Sequence, residues 1–328
     1  MKSNSKNKCT PRKPKILAFW EMEIEKLTAD SRMGTARNYR NARCRFSEFL
    51  SSHDIPFSRL SPDLLQAYEH WLRCRGIADN SVAFYLRILR AVFNRAVDCH
   101  AAQPQPSLFA RVFTGVCATR KRAVSDDVFR RLLALDLSGN RALALSRDMF
   151  VFSFCARGMA FVDMAFLRPT DICDGVVSYL RRKTSQRLAF RLEPCMATIV
   201  SRYSSGRYVF PVITVDNPAD AYRQYQTALG YHNRMLKRLA AMIGYDGRLS
   251  TYTARHSWAT SARRHAVPLS IISAGLGHTS ERTTRIYLDS VENVELDNAN
   301  RAIINDIISA VSSQETAHTA TKVSKIRK

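Results

Sequence analysis

Along the chain, stretches whose apolar residues recur every three or four positions alternate with short breaks rich in proline, glycine and polar residues. From Ile16 four such stretches follow one another: ILAFWEMEIEKL, GTARNYRNARCRFSEFL, SPDLLQAYEHWLRCRG and NSVAFYLRILRAVFNRAVDCH. That spacing puts an apolar stripe on one face of a helix, so the pattern predicts four helices. The third carries its own punctuation, with Ser61 as N-cap, Pro62 at the first helical position and Gly76 where the helix must stop. In the fourth, Val82, Tyr85, Leu86, Leu89, Val92 and Phe93 form the stripe, while Arg87, Arg90 and Arg95 occupy other faces.

Two prolines in AAQPQPS, residues 101–107, break the periodicity and predict a linker that ends in Arg120, Lys121 and Arg122. Beyond it Ser125, Asp126 and Asp127 cap a helix, and a strongly apolar helix spans about 142–154. Residues 175–192 change period: two short alternating runs flank Lys183-Thr184-Ser185-Gln186, the pattern of a β-hairpin. Helices over 220–243, 254–265 and 269–276 follow, then a Gly277-His278 turn and a helix bearing Tyr287. The expected organisation is a disordered basic arm (1–14), a helical domain (15–100), a linker (101–122), a second domain (123–291), an amphipathic C-terminal helix (292–311) and a disordered polar tail (312–328). The fold class is mainly α with a small β-sheet.

Composition sharpens this into a partner. The chain has 328 residues, enough for two domains, with 50 Lys plus Arg against 28 Asp plus Glu, a net charge of +22 and a pI near 10.1. Residues 1–122 hold 22 basic and 10 acidic residues, and 123–328 hold 28 and 18, so both halves are positive, by +12 and +10. Such a field points to a polyanion, with double-stranded DNA the expected partner, gripped from two sides. Arg37, Arg40, Arg43 and Arg45 on the second predicted helix are candidates for phosphate contact, as are Arg87, Arg90 and the basic end of the linker; a solvated helix face is the competing account. A membrane surface is the rival partner, but no apolar run of about 18 residues and no signal-peptide pattern occurs, so an intracellular protein is expected. The eight cysteines show no C-x-x-C pair and no histidine at zinc spacing, so no metal site is expected, and they read as small buried hydrophobes in a reducing compartment.

Candidate chemistry gathers in TYTARHSWATSARRHAVPLSIISAGLGHTSERTTRIY, residues 251–287. Arg255 offers a planar fork of donors that matches phosphate oxygens, His256 and His278 carry or release protons near neutrality, and Tyr287 has an oxygen nucleophile. Together they suit attack on a phosphodiester. The spacing, Arg255-His256, then Gly277-His278 after 22 residues, then Tyr287 nine beyond, resembles the C-terminal signature of the tyrosine recombinase, or phage integrase, family. FSFCARGM, TARHSWAT and GLGHTSERTTRIYL are most similar to integrases of mobile elements in Bacteroides-type bacteria.

The resemblance runs from about residue 15 to 295 and implies a helical, SAM-like core-binding domain followed by a catalytic domain. It implies two further site residues: Arg157, 98 residues before Arg255, and Lys183 in the hairpin. Arg157 and Arg255 are then expected on the nonbridging oxygens, Lys183 as proton donor to the 5′ oxygen, His278 on the phosphate or assisting Tyr287, and Tyr287 as nucleophile. A 3′-phosphotyrosine ester conserves the energy of the broken bond, so neither metal nor cofactor is required. Two positions depart from the family. Tyr252 stands where a histidine is usual, three residues before Arg255, and Ala160 stands where an acidic residue often follows the first arginine. Arg157, ringed by Phe154, Met159 and Phe161, is expected to need a partner, with Asp163 the nearest candidate in sequence and the bound phosphate the functional one. Tyr252 is expected on one helix face with Arg255, as an orienting donor.

The function expected is site-specific recombination or integration of DNA in a bacterial cytoplasm, close to the nucleoid. A tetramer on DNA is expected, with the 292–311 helix docking on a neighbour, and accessory DNA-bending or directionality proteins are possible partners. Two alternatives stand beside it. A type IB topoisomerase shares the chemistry without exchanging strands, and a helix-turn-helix protein without catalysis would use residues 254–276 to read DNA.

Overall fold

The computed structural model describes residues 14–117, 123–204 and 206–288 of the chain, whose sequence divides after residue 119 into two compact units. The first unit holds α1 (Ile16–Ala29), α2 (Met33–Phe49), α3 (Pro62–Cys74) and α4 (Asp79–Asp98), the four helices that the apolar stripes predict. At the start of α3 the Ser61 hydroxyl accepts from the Leu64 N–H (3.2 Å), Pro62 opens the helix, and Gly76 follows its end at φ +70°. On α4 Val82, Leu86, Leu89 and Val92 are fully buried, each contributing roughly 1.5–3 kcal/mol of apolar burial. They close over an aromatic centre of Trp20, Phe46 and Tyr68, in which the Phe46 and Tyr68 rings meet edge to face at 5.0 Å.

The expected linker is not free at its beginning. Ala102, Leu108, Phe109 and Val112 are buried in the core of the first unit. Arg87 donates to the carbonyls of Thr114 and Gly115 (3.3 and 3.1 Å), and Arg90 donates to that of Phe109 (3.3 Å) while lying over its ring. Asn80 closes the segment by exchanging two hydrogen bonds with the Cys117 backbone. The two prolines end α4's periodicity, as read, but the apolar residues after them return to α4. The helical unit therefore reaches Cys117. Residues 1–13, 118–122 and 289–328 lie outside the described residues, and with them the expected arm, the Arg120-Lys121-Arg122 cluster, the C-terminal helix and the tail.

The second unit begins with α5 (Asp126–Leu133) and is built around α6 (Arg141–Cys155), whose Met149, Phe150 and Phe152 are almost wholly buried. A short α7 (Phe161–Ala165) leads to an antiparallel sheet of β1 (Ile172–Cys173), β2 (Val176–Leu180) and β3 (Arg187–Arg191) in that order. Val177 and Phe190 pair across the hairpin and turn inward together, which fixes its register. The sequence pattern predicts β2 and β3; the two-residue β1 is too short for any periodicity to show. After the sheet come α8 (Pro194–Tyr203), α9 (Pro218–Met242), α10 (Thr251–Arg264), α11 (Leu269–Leu276) and α12 (Glu281–Leu288). One buried carboxylate is a structural anchor: Asp148 on α6 accepts from Arg147 (2.9 Å), Arg202 (3.1 Å) and the Tyr203 hydroxyl (2.9 Å). No helix among the described residues is long and apolar enough to cross a membrane, and no group of three or more metal-ligating side chains occurs among them.

Candidate active site

Three segments converge on Arg255. It lies on α10 among the small buried residues Ala254, Ser257 and Ala259, which let neighbouring backbone come close, and it is only 5% exposed. A guanidinium taken out of water needs acceptors for its donors. Arg255 finds them in the carbonyl of Gly158 (2.8 Å), just after α6, and in that of Leu276, at the end of α11. Its Nη2 also lies 3.2 Å from Nε2 of His278.

The turn after α6 is built for this approach. Arg157 (φ +56°) and Gly158 (φ +72°) are both left-handed, and a Cβ on Gly158 would stand 2.8 Å from the Arg255 Cα. The reversal sends the Arg157 side chain outward. It is exposed, passes alongside Gly275 of α11, and donates weakly to the carbonyl of Ala189 on β3 (3.4 Å). The expected buried pairing of Arg157 with Asp163 is therefore not found, because the left-handed turn takes the guanidinium away from its apolar neighbours. Asp163 is the buried residue instead, 4% exposed on α7, and it accepts from the Arg182 N–H (2.9 Å). Burial pushes its carboxyl above the usual range, opposed by that N–H and by Arg181, Arg255 and Arg182.

Lys183 sits exposed in the hairpin turn, which Arg181 closes through its N–H to the Gln186 carbonyl and its own carbonyl from Ser185 (2.8 Å each). The Arg181 side chain goes the other way, 7% exposed, and donates to the Gly277 carbonyl. Two buried guanidiniums thus hold consecutive carbonyls, those of Leu276 and Gly277, at the turn that presents His278. Gly277 ends α11 at φ +62°, where an added Cβ would meet Leu188 and Arg181.

The tautomer of His278 follows from its partners. A guanidinium only donates, so the ring accepts from Arg255 at Nε2 and donates from Nδ1 to the hydroxyl of Thr284, 2.8 Å away. Burial, followed by the positive charges of Arg255, Arg181 and Lys183, pushes the His278 pKa down to about 4. At neutral pH it is an uncharged acceptor. Thr284 is fully buried on α12 and lies three residues before Tyr287, so the imidazole fastens the helix that carries the tyrosine. The Tyr287 side chain itself lies outside the described residues.

Tyr252 lies inside α10 at i and i+3 with Arg255, 43% exposed where Arg255 is buried, and at i and i+4 its ring is 5.9 Å from that of His256. Among the candidate DNA contacts, Arg37 and Arg40 are exposed on α2. Arg43 donates to the Leu17 carbonyl and pairs with Glu21 (3.1 Å each), bracing α2 to α1, while Arg87 and Arg90 brace the segment after α4. These three serve the fold of the first unit. Sequence reasoning missed Arg181 and Thr284. Position two before the hairpin lysine and three before the tyrosine were available signals, but neither residue type stands out in a chain this basic.

Comparison with known proteins gives the family. The family model for the phage integrase SAM-like domain matches residues 15–110, and that for the phage integrase family matches 168–293, together more than half of the chain. The chain belongs to the phage integrase family. Its function is that of a site-specific tyrosine recombinase. It is 24% identical over 277 residues to the tyrosine recombinase XerD of Pseudomonas putida, covering 82% of this chain and 89% of that protein. Its fold is similar to that of lambda integrase (residues 75–356), solved as a dimer bound to a COC′ core site, with a TM-score of 0.61, 16% identity and coverage of 83% of this chain and 98% of that one. It is also similar to that of the Tn1549 transposon integrase, solved with transposon right end DNA, with a TM-score of 0.58, 11% identity and coverage of 89% and 100%.

Proposed function

We propose that this recombinase cleaves one strand of duplex DNA by attack of the Tyr287 oxygen on a phosphodiester, forming a 3′-phosphotyrosine and releasing a 5′ hydroxyl. The observation that carries the reading is the placement of Arg255, one guanidinium joined to the Arg157-Gly158 turn, the end of α11 and His278. Arg255 and the exposed Arg157 hold the nonbridging oxygens, where charge gathers as the tyrosine attacks. Neutral His278, with its lone pair turned to Arg255, supports the arginine and α12 rather than giving up a proton. The exposed Lys183 then protonates the leaving 5′ oxygen. A 5′ hydroxyl from a second strand reverses the step and completes the exchange. Tyr252 adds an orienting hydrogen bond from the open face of α10.

Both units carry net positive charge, and Arg37, Arg40 and the Arg120-Lys121-Arg122 cluster are assigned to phosphate contact. Arg43, Arg87 and Arg90 contribute through charge while holding the fold. Exchange of both strands of two duplexes calls for four sites, and lambda integrase has been solved as a tetramer bound to a Holliday junction, with a TM-score of 0.57 to this chain and 16% identity. These two points support assembly on DNA as a tetramer, with the 292–311 segment docking on a neighbour. The resemblance of its motif phrases supports a role like that of integrases of Bacteroides-type mobile elements, acting at the nucleoid with accessory DNA-bending or directionality proteins.

The test is Tyr287→Phe on a nicked duplex that traps the cleaved strand. DNA affinity should stay within a few fold while the denaturant-resistant protein–DNA adduct disappears. An adduct surviving in this variant moves the nucleophile elsewhere, with Tyr252 the first suspect. Failure to transfer strands between two duplexes, with adduct formation intact, would favour a topoisomerase.

A further inference from the structure

We propose that Cys155 and Cys195 form a reversible disulfide on exposure to peroxide, and that this bond withdraws Arg157 and Arg255 from their working positions. The two sulfurs face each other at 4.0 Å, one at the last residue of α6 and the other at the second residue of α8. All described cysteines are thiols. Cys195 is exposed and Cys155 half-buried; burial, with the adjacent Cys195, pushes the Cys155 thiol up to about 12. A solvent oxidant therefore meets Cys195 first.

The chemistry closes on two thiols and one peroxide. The Cys195 thiolate attacks a peroxide oxygen, the O–O bond breaks, and a sulfenic acid and one water form. The Cys155 sulfur then attacks Cys195 Sγ, the S–O bond breaks, and the departing hydroxyl leaves as water with the Cys155 proton. The two thiols supply the two electrons that reduce the peroxide, and a dithiol returns them.

Bond formation takes the sulfurs from 4.0 Å to about 2.05 Å, so the end of α6 and the start of α8 must be drawn together or their side chains rotated. The strain does not stop at Cys155. The N–H of Ala156 bonds to Phe152, those of Gly158 and Met159 bond to Ser153, and the Ser153 hydroxyl donates to Met159, so the turn is stitched to the last turn of α6. That turn carries Arg157 and gives its Gly158 carbonyl to Arg255. A misplacement of about 1 Å is enough to cost a catalytic constellation roughly a hundredfold.

The consequence for activity rests on the recombinase reading; the bond itself does not. The full chain is treated with hydrogen peroxide, digested without reductant and mapped by mass spectrometry, while adduct formation on nicked duplex DNA is timed. A linked peptide containing Cys155 and Cys195 should appear, adduct formation should fall by about tenfold or more, and dithiothreitol should reverse both. Cys195→Ser should keep the reduced rate and resist peroxide. The proposal is overturned by peroxide-treated protein without the linked peptide, by a linked protein of unchanged rate, or by a Cys195→Ser variant as peroxide-sensitive as the wild type. Reduced protein that forms no adduct would count against the recombinase reading instead, and the peptide map alone would then decide the bond.

Discussion

Gly158→Ala tests whether the backbone of the α6 turn sets the position of Arg255 without altering any charge. The added Cβ would stand 2.8 Å from both Cα and Cγ of Arg255, and the first of these is backbone that cannot swing away. Carbon atoms rest near 3.5 Å, so turn and α10 must separate by roughly 0.7 Å. The left-handed φ of +72° adds a penalty of about 1 kcal/mol for a residue with a side chain, and overpacking adds about 1–3 kcal/mol. A total loss of about 2–4 kcal/mol in stability is expected, read from the urea midpoint. As the 2.8 Å bond from Arg255 to the Gly158 carbonyl stretches, the guanidinium moves relative to His278, and adduct formation should slow by about tenfold to a hundredfold. DNA affinity should change little, since no positive charge is lost. A variant that loses the expected stability yet forms adduct at the wild-type rate would show that Arg255 does not depend on this turn.

Substitutions at three further positions address other parts of the second unit. Arg181→Met removes the donor to Gly277 and one of the charges depressing His278, so adduct formation should slow by about tenfold to a hundredfold, from about 1.5–3 kcal/mol for a buried charged hydrogen bond, and the acid limb of its pH profile should move upward; an unchanged profile would remove Arg181 from the site. His232 on α9 is stacked on Phe161 at 4.7 Å, and burial pushes its pKa down to about 3 from 6.5, so the stability its neutral form provides above pH 6.5 is lost as pH falls toward 3, by on the order of 5 kcal/mol. His278 acts in the same direction between 6.5 and about 4, by less because it is half-exposed to solvent. His232→Phe should flatten the fall of urea midpoints between pH 7 and 4, and an unaltered slope would assign the acid sensitivity elsewhere. Tyr252→Phe should slow cleavage by roughly tenfold, and Tyr252→His should restore it with a steeper dependence between about pH 6 and 8; equal rates for Tyr and Phe across that range would leave Tyr252 a packing residue.

The elements were legible where periodicity or caps operate. Val82, Leu86 and Leu89 announce α4, and Ser61 with Pro62 marks the start of α3, because local spacing alone decides both. The segment after α4 was not legible, since its burial depends on Arg87, Arg90 and Asn80 reaching back across 19 to 37 residues, which no local pattern records. At the site, the motif spacing located Arg255, His278 and the helix of Tyr287. It did not show that Arg157 turns outward, because the two consecutive left-handed residues are a tertiary solution to the close approach of α10. For the same reason Asp163 is buried without the Arg157 guanidinium as its partner.

How the site keeps its positive charge explains why carbonyls matter more than carboxylates in its construction. An arginine paired with a carboxylate is largely neutralised before any substrate arrives. Arg255 and Arg181 are held by the carbonyls of Gly158, Leu276 and Gly277, dipoles that orient a guanidinium without cancelling it. The last two belong to the C-terminus of α11, where unsatisfied carbonyls and the negative end of the helix dipole favour a cation. Asp163 is the buried carboxylate acting on this group, and burial already works against its charge. Arg157 and Lys183 remain exposed beside it. The cluster therefore carries an excess of positive charge at fixed positions, and desolvation of His278 ensures that the imidazole adds none at neutral pH. On the proposed reading, a phosphodiester gaining negative charge as it is attacked completes the balance.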